Sequence, residues 1–177
     1  VTRTGRSKVK PLRDILRNQQ QPAFFPLPLE AAPARVDVTE LTDGQRFSIG
    51  EVAVTCRRLN HPGVVGGFRL EHDERALAYL CDVDVATPQL LAAGLQADSE
   101  AEHQRQVERL RQGARELAHR ADLLVADTFF GAEEYEPDWG HGRPDDVLNL
   151  ALEARAKRVA FFHHQPERTD TQLDQLA

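Results

Sequence analysis

Methionine is absent from this 177-residue chain, and cysteine, tyrosine and tryptophan number only two, two and one. With Val at position 1, the missing methionine is compatible with an alternative start codon or with a chain cut from something longer. The two thiols, Cys56 and Cys81, lie in apolar, strand-like runs without CxxC spacing, which argues against a disulfide framework and a thiolate zinc site. Both read as buried free thiols. No apolar run approaches the roughly 20 residues that cross a bilayer. No apolar stretch follows the basic start at Arg3, Arg6, Lys8 and Lys10, so neither a membrane span nor a secretory signal is expected and the chain reads as cytosolic. Positive charge is also short. Twenty-two Lys and Arg against 28 Asp and Glu give a formal net charge of −6, which argues against a broad nucleic-acid surface and leaves room for a local basic patch only.

A hydrophobic content of 41% is ordinary for a soluble domain, and the length allows one domain with a core of its own. Residues 1–22 form a polar N-terminal segment with a short helical pattern at Leu12, Ile15 and Leu16; residues 23–177 are read as the domain. The run from Phe24 to Leu29 is broken by Pro26 and Pro28 and is expected to be extended. From Arg35 to Leu59, alternation at Val36 and Val38 and again at Val52 and Val54, with turns at Asp43-Gly44 and Ser48-Ile49-Gly50, predicts a β-meander. Two further strands are expected over Phe68–Leu70 and Ala76–Cys81. Ser99-Glu100-Ala101-Glu102 has capping-box form, and Val107, Leu110, Ala114 and Leu117 follow at helical spacing, which predicts a helix over residues 99–119. Leu123–Ala126 is a strand ending at Asp127. Pro144 opens another helix, with Asp145 and Asp146 at its positive end and Val147, Leu148, Leu150, Ala151 and Ala154 as its buried face. A last strand, Val159–Phe162, runs into His163. The fold class is therefore α+β, a meander passing into strand–helix alternation.

His61, Asp82 and His163 each stand at the end of an apolar, strand-like run, where a fold holds side chains at a shared edge with little freedom. Each has a plainer reading: His61 as a turn histidine before Pro62-Gly63, Asp82 and Asp84 as caps of the following segment, His163 and His164 as a partly exposed pair. His141 lies between Gly140 and Gly142, accessible either as a catalytic imidazole or as a loop histidine. Alternation of strand and helix also fits a Rossmann-like nucleotide-binding domain, but neither GxGxxG nor GxxxxGK[ST] occurs to cradle phosphates.

Leu59-Asn60-His61-Pro62 with Gly67-Phe68-Arg69-Leu70, then Ala78-Tyr79-Leu80-Cys81-Asp82, Ala121–Asp127, Glu134-Tyr135 with Trp139-Gly140-His141, and Phe161–Pro166 follow one another in an order that resembles metallo-β-lactamase-fold hydrolases. The likeness is strongest to the branch holding the cyclic-phosphate phosphodiesterase and the tRNA 3′-processing endonuclease, and it runs over about residues 20–175. It implies an αββα sandwich, incomplete at the N-terminus, and a small-molecule or phosphodiester substrate attacked by a metal-bridging hydroxide. It further implies His61 as a ligand of a first metal, Asp82 as the bridge between two, His163 as a ligand of the second, and His141 as the acid that protonates the leaving group. Asp84, Asp127 and His164 fit the blocks as groups that orient ligands. Asp127 is open to two readings, orienting an imidazole or capping the loop after it. Arg69 and Arg143 are read as solubilising rather than as phosphate contacts. A homodimer is compatible with all of this.

The family signature HxHxDH occurs nowhere in the 177 residues and in block order would precede Val1. Gly142-Arg143 stands where the family carries Ser-Thr. Two divalent ions are implied for the complete domain, with zinc first and manganese or iron as alternatives. Since a catalytic zinc takes three protein ligands, this chain alone is expected to bind metal weakly or not at all. The alternative function is an inactive remnant or a non-enzymatic binding module of the same fold.

Overall fold

A computed structural model describes residues 11–131 and 133–175. The chain divides into two compact units, Val1–Leu41 and Thr42–Ala177, so the compact division lies well beyond residue 22, where the polar composition ends. In the first unit, α1 (Leu12–Gln19) takes up the predicted helical pattern, and a 3-10 turn covers Leu29–Ala31. The segment between them folds into a turn, with Phe24 and Phe25 N–H donating to the Gln21 carbonyl, where an extended run was expected. Val36 and Val38 also lie outside any strand. Two alternating residues make no strand without a partner for their backbone groups, and the Val36 carbonyl instead accepts from the Arg13 side chain.

In the second unit six strands form one sheet in sequence order: β1 (Arg46–Ile49), β2 (Val52–Arg58), β3 (Gly66–His72), β4 (Arg75–Leu80), β5 (Leu123–Asp127) and β6 (Val159–Phe162). The first four pair antiparallel, β1–β2 and β3–β4 through tight turns and β2–β3 through a longer loop, and β5 and β6 then add parallel to β4. Parallel neighbours need crossovers, which are α2 (Glu100–Ala118) and α3 (Pro144–Ala154). The Ser99 side chain caps α2 by accepting from Glu102 N–H, and Val107, Leu110, Ala114 and Leu117 are buried as the periodicity predicts. Pro144 opens α3, whose buried residues are Val147, Leu150, Ala151 and Ala154. Leu148, expected among them, is 42% exposed, because one position from Val147 turns its side chain about 100° around the helix.

Both helices lie on one face of the sheet and close a core over Ala78, Leu80, Leu124 and Ala126. On the opposite face the register lines up Phe68, Tyr79, Val125 and Ala160 in one row and Leu70, Leu77 and Leu123 in the next. These remain only half-buried. Strands apolar on both faces belong to a sheet covered on both sides. A short helix, α4 (Asp170–Asp174), follows, opened by a Thr169–Gln172 capping box. Among the described residues no helix is long and apolar enough to cross a membrane.

Candidate functional site

The parallel strands β4, β5 and β6 end side by side, and each delivers a polar residue there. Asp82 and His163, just past β4 and β6, take left-handed backbone angles, φ of 52° and 59°. That conformation is uncommon outside glycine and persists where the surroundings impose it, often at functional sites. Between them Asp127 closes β5 and is wholly buried.

Asp127 organises the group. One carboxylate oxygen, Oδ2, accepts from His141 Nδ1 at 2.7 Å, His163 Nδ1 at 3.1 Å and Val83 N–H at 3.2 Å. The other, Oδ1, accepts from Phe129 N–H at 3.0 Å. One oxygen thus meets two imidazoles while the other meets the backbone of the following loop. His163 Nδ1 also lies 3.2 Å from Asp82 Oδ1. Ligand atoms of Asp82, Asp127, His141 and His163 all fall within 4.8 Å of one another.

His61 joins from the loop after β2. Its Nδ1 sits 3.2 Å from the Gly140 carbonyl, so the ring donates there, and its centroid is 5.2 Å from that of His141. Gly140 has φ of +79°, and a Cβ on it would stand 2.6 Å from Pro62 Cδ and 2.8 Å from His61 Nδ1. Only glycine permits this interlocking of the two histidine loops. Asn60, buried, holds the loop from beneath, accepting from Leu91 and Ala92 N–H and donating to the Gln89 carbonyl. With each Nδ1 donating inward, His61, His141 and His163 keep Nε2 as the atom that can take a metal or hand over a proton.

The long loop between β5 and α3 carries His141. Phe129 stacks on its ring at 5.0 Å between centroids and an angle of 27°. Hydrogen bonding to Asp127, opposed by burial and helped by the charges of Asp127, Asp82 and Asp84, holds the His141 imidazole above its ordinary value of 6.5. Asp84, two residues from Asp82, is buried, and its carboxylate accepts from Ala86 N–H and Thr87 N–H at 2.9 Å and from the Tyr135 hydroxyl. Burial pushes that carboxyl up from its usual range, and burial followed by the same hydrogen bond pushes the Tyr135 phenol to about 12. Tyr135, given no role from sequence, is thus a tie between the two loops, with Arg143 over its ring at 4.2 Å. Arg143 pairs with Asp146 at 2.6 Å, and Arg69 donates to the Leu117 and His119 carbonyls, so both are occupied internally. His164 stays outside the group, its Nδ1 buried without a hydrogen-bond partner.

The chemistry of this donor set, imidazole nitrogens with carboxylate oxygens, fits a divalent ion of the zinc, manganese or iron type. Asp82, Asp127, His141 and His163 bring donor atoms of this kind together at one place. A second independent set is not found among the described residues.

A metallo-β-lactamase-fold protein, YhfI from Bacillus subtilis, superposes with a TM-score of 0.55 and 18% identity over 76% of this chain and 46% of that one. The chain has the metallo-β-lactamase fold. A diphosphatase described as belonging to the PhnP family matches it at a TM-score of 0.53 and 14% identity, over 93% of this chain and 59% of that one. A 50-residue stretch, 28% of this chain and 17% of the relative, is 40% identical to ribonuclease Z of Sulfurisphaera tokodaii. No family model matches. The chain thus spans about half the length of the metallo-β-lactamase-fold structures it resembles and less of ribonuclease Z.

Proposed function

We propose that this chain carries part of the active site of a metal-dependent hydrolase that cleaves phosphodiesters. The observation that carries the reading is the Asp127 carboxylate, at the end of β5, beneath His163 just past the adjacent strand and His141 of the following loop. The names of two relatives, a diphosphatase and ribonuclease Z, support phosphate-ester chemistry. His61, Asp82 and His163 would hold metal. Asp127 fixes the tautomer of both neighbouring rings. A bound divalent ion would supply Lewis acidity and bring the pKa of water from about 15.7 toward 7.

His141 is the proton donor. Asp127 favours its charged form, Phe129 fixes the ring plane, and Nε2 is left to protonate a departing alkoxide, an effect of about 10²–10⁴-fold. Further metal ligands of HxHxDH type must come from outside these 177 residues. A second reading, a non-enzymatic binding module, is favoured by the lack of HxHxDH ligands among these 177 residues.

The test measures metal content and hydrolysis of a bis-aryl phosphate by the chain as it stands and by the chain joined to an upstream segment carrying HxHxDH. Weak metal binding and near-background turnover are expected for the first. Metal content and turnover should rise together in the second, with His141→Ala lowering turnover by about 10²–10⁴-fold. A joined chain that holds metal yet turns over no ester sinks the hydrolase reading in favour of the binding module.

A further inference from the structure

Trp139, the single tryptophan in the chain, stands two positions before His141 and is 56% exposed. A large apolar ring in that position would ordinarily fold inward. It is instead exposed, on backbone fixed from both sides. The Trp139 backbone N–H donates to the Glu136 carbonyl, and the next residue, Gly140, is packed against His61 and Pro62. Behind the indole lie Phe129 at 6.2 Å and Phe130 at 6.0 Å between centroids, and Phe130 is buried. Phe129 in turn stacks on His141 and lies 5.7 Å from the His163 ring. One aromatic shelf therefore runs from the imidazoles to an exposed indole face.

We propose that Trp139 is a stacking platform that selects nucleotide esters, taking the base against its indole while the phosphate lies at the imidazole–carboxylate cluster. This rests on the phosphodiesterase reading above and names its substrate class. Charge on the same loop decides what reaches the indole. Glu133, Glu136 and Asp138 are exposed there, while Glu134 pairs with Arg168, and the first three repel a phosphate backbone continuing past the platform. A neutral, planar base meets no such penalty and gains stacking on any aromatic face. The ligand is a single terminal base with one phosphate, not a strand tracked along a basic groove.

Because Trp139 is the only tryptophan, its fluorescence reports the platform alone. Adenosine 5′-monophosphate should quench it saturably, and ribose 5-phosphate should not. In equilibrium dialysis, Trp139→Ala should weaken adenosine 5′-monophosphate about tenfold while leaving ribose 5-phosphate unchanged, and Trp139→Phe should keep most of the affinity. Quenching that never saturates, or an equal loss for both ligands in Trp139→Ala, overturns the platform. Ester hydrolysis measured on the chain joined to an HxHxDH segment separates the two ideas. Turnover without base-dependent quenching leaves the hydrolase standing and removes the platform. Quenching without turnover does the reverse.

Discussion

Two charged clusters in the second unit are built on opposite principles. Around the C-terminus of α2, a cavity of about 330 Å³ is lined by Arg46, Arg57, Arg69, Glu71, Glu116 and His119. Its guanidiniums are spent on the protein: Arg57 pairs with Glu116 and Asp43, Arg69 donates to the Leu117 and His119 carbonyls at 2.8 Å and to Glu71 at 2.9 Å, and Arg46 meets Glu71 at 3.4 Å. At the ends of β4, β5 and β6 the pattern is reversed. There the Nδ1 atoms of three imidazoles are used internally and Nε2 is kept for something else. A cavity marks the arginines; spare ligand capacity marks the histidines.

The comparison breaks first at Asp127. It is wholly buried and serves four donors, so Asp127→Ala strands Val83 N–H, Phe129 N–H and two imidazoles together. An unmet buried donor costs about 1–3 kcal/mol, and breaking a buried charged pair about 3–5 kcal/mol. A loss of about 3–5 kcal/mol is therefore expected in urea unfolding. An unchanged midpoint would make this cluster no more structural than a surface ion pair.

Gly142→Ala tests the backbone beneath it. An added Cβ would stand 2.6 Å from the Asp127 carbonyl oxygen and 3.2 Å from that of Val83, and buried backbone atoms cannot swing aside as a flexible side chain would. About 1–3 kcal/mol is expected from overpacking. The His141–Asp127 hydrogen bond should loosen too, visible as a shift of the His141 ring resonances by NMR.

How far the sequence foretells this depends on the kind of interaction. The strands β4 to β6 were legible because each apolar run stops abruptly at a polar residue, and α2 because Ser99 caps a period of Val107, Leu110, Ala114 and Leu117. That His61, Asp82, His141 and His163 lie close together follows from parallel strands ending in register and from the interlock at Gly140. What a single carboxylate binds was not legible. Asp127 divides its two oxygens between a loop and two rings, and Asp84 meets Tyr135 from 51 positions away. Leu148 failed for a local reason, one helical step, and Val36 with Val38 for want of a neighbouring strand.

Acidity sharpens the contrast more gently. Since hydrogen bonding to Asp127 raises the His141 pKa, its stabilising contribution is complete below the unfolded value of about 6.5 and is lost as pH rises through the higher folded value. Asp84 is also raised, by burial, so its contribution is greatest in acid and falls as pH climbs through its folded value above 3.8. Urea midpoints should therefore decline as pH increases, with one onset from Asp84 and a later one from His141. His141→Gln should abolish the upper decline and leave the lower one. Survival of the upper decline in that variant would assign it to another group.

The smallest effect belongs to the arginine cluster. The Arg57 side chain is 23% exposed and that of Glu116 is 46% exposed, so water and salt screen their pairing, and holding two long side chains together costs entropy. A double-mutant cycle over Arg57→Ala and Glu116→Gln should give a coupling of about 0–1 kcal/mol, shrinking further in high salt. Arg69→Ala should cost more than either single change, because that guanidinium caps the last turn of α2 by donating to two backbone carbonyls. A coupling above about 2 kcal/mol for Arg57 and Glu116 would mean that the pair is effectively desolvated. The arginine cavity would then be a rigid, preorganised site in its own right, and the contrast with the histidine cluster would rest on donor chemistry alone.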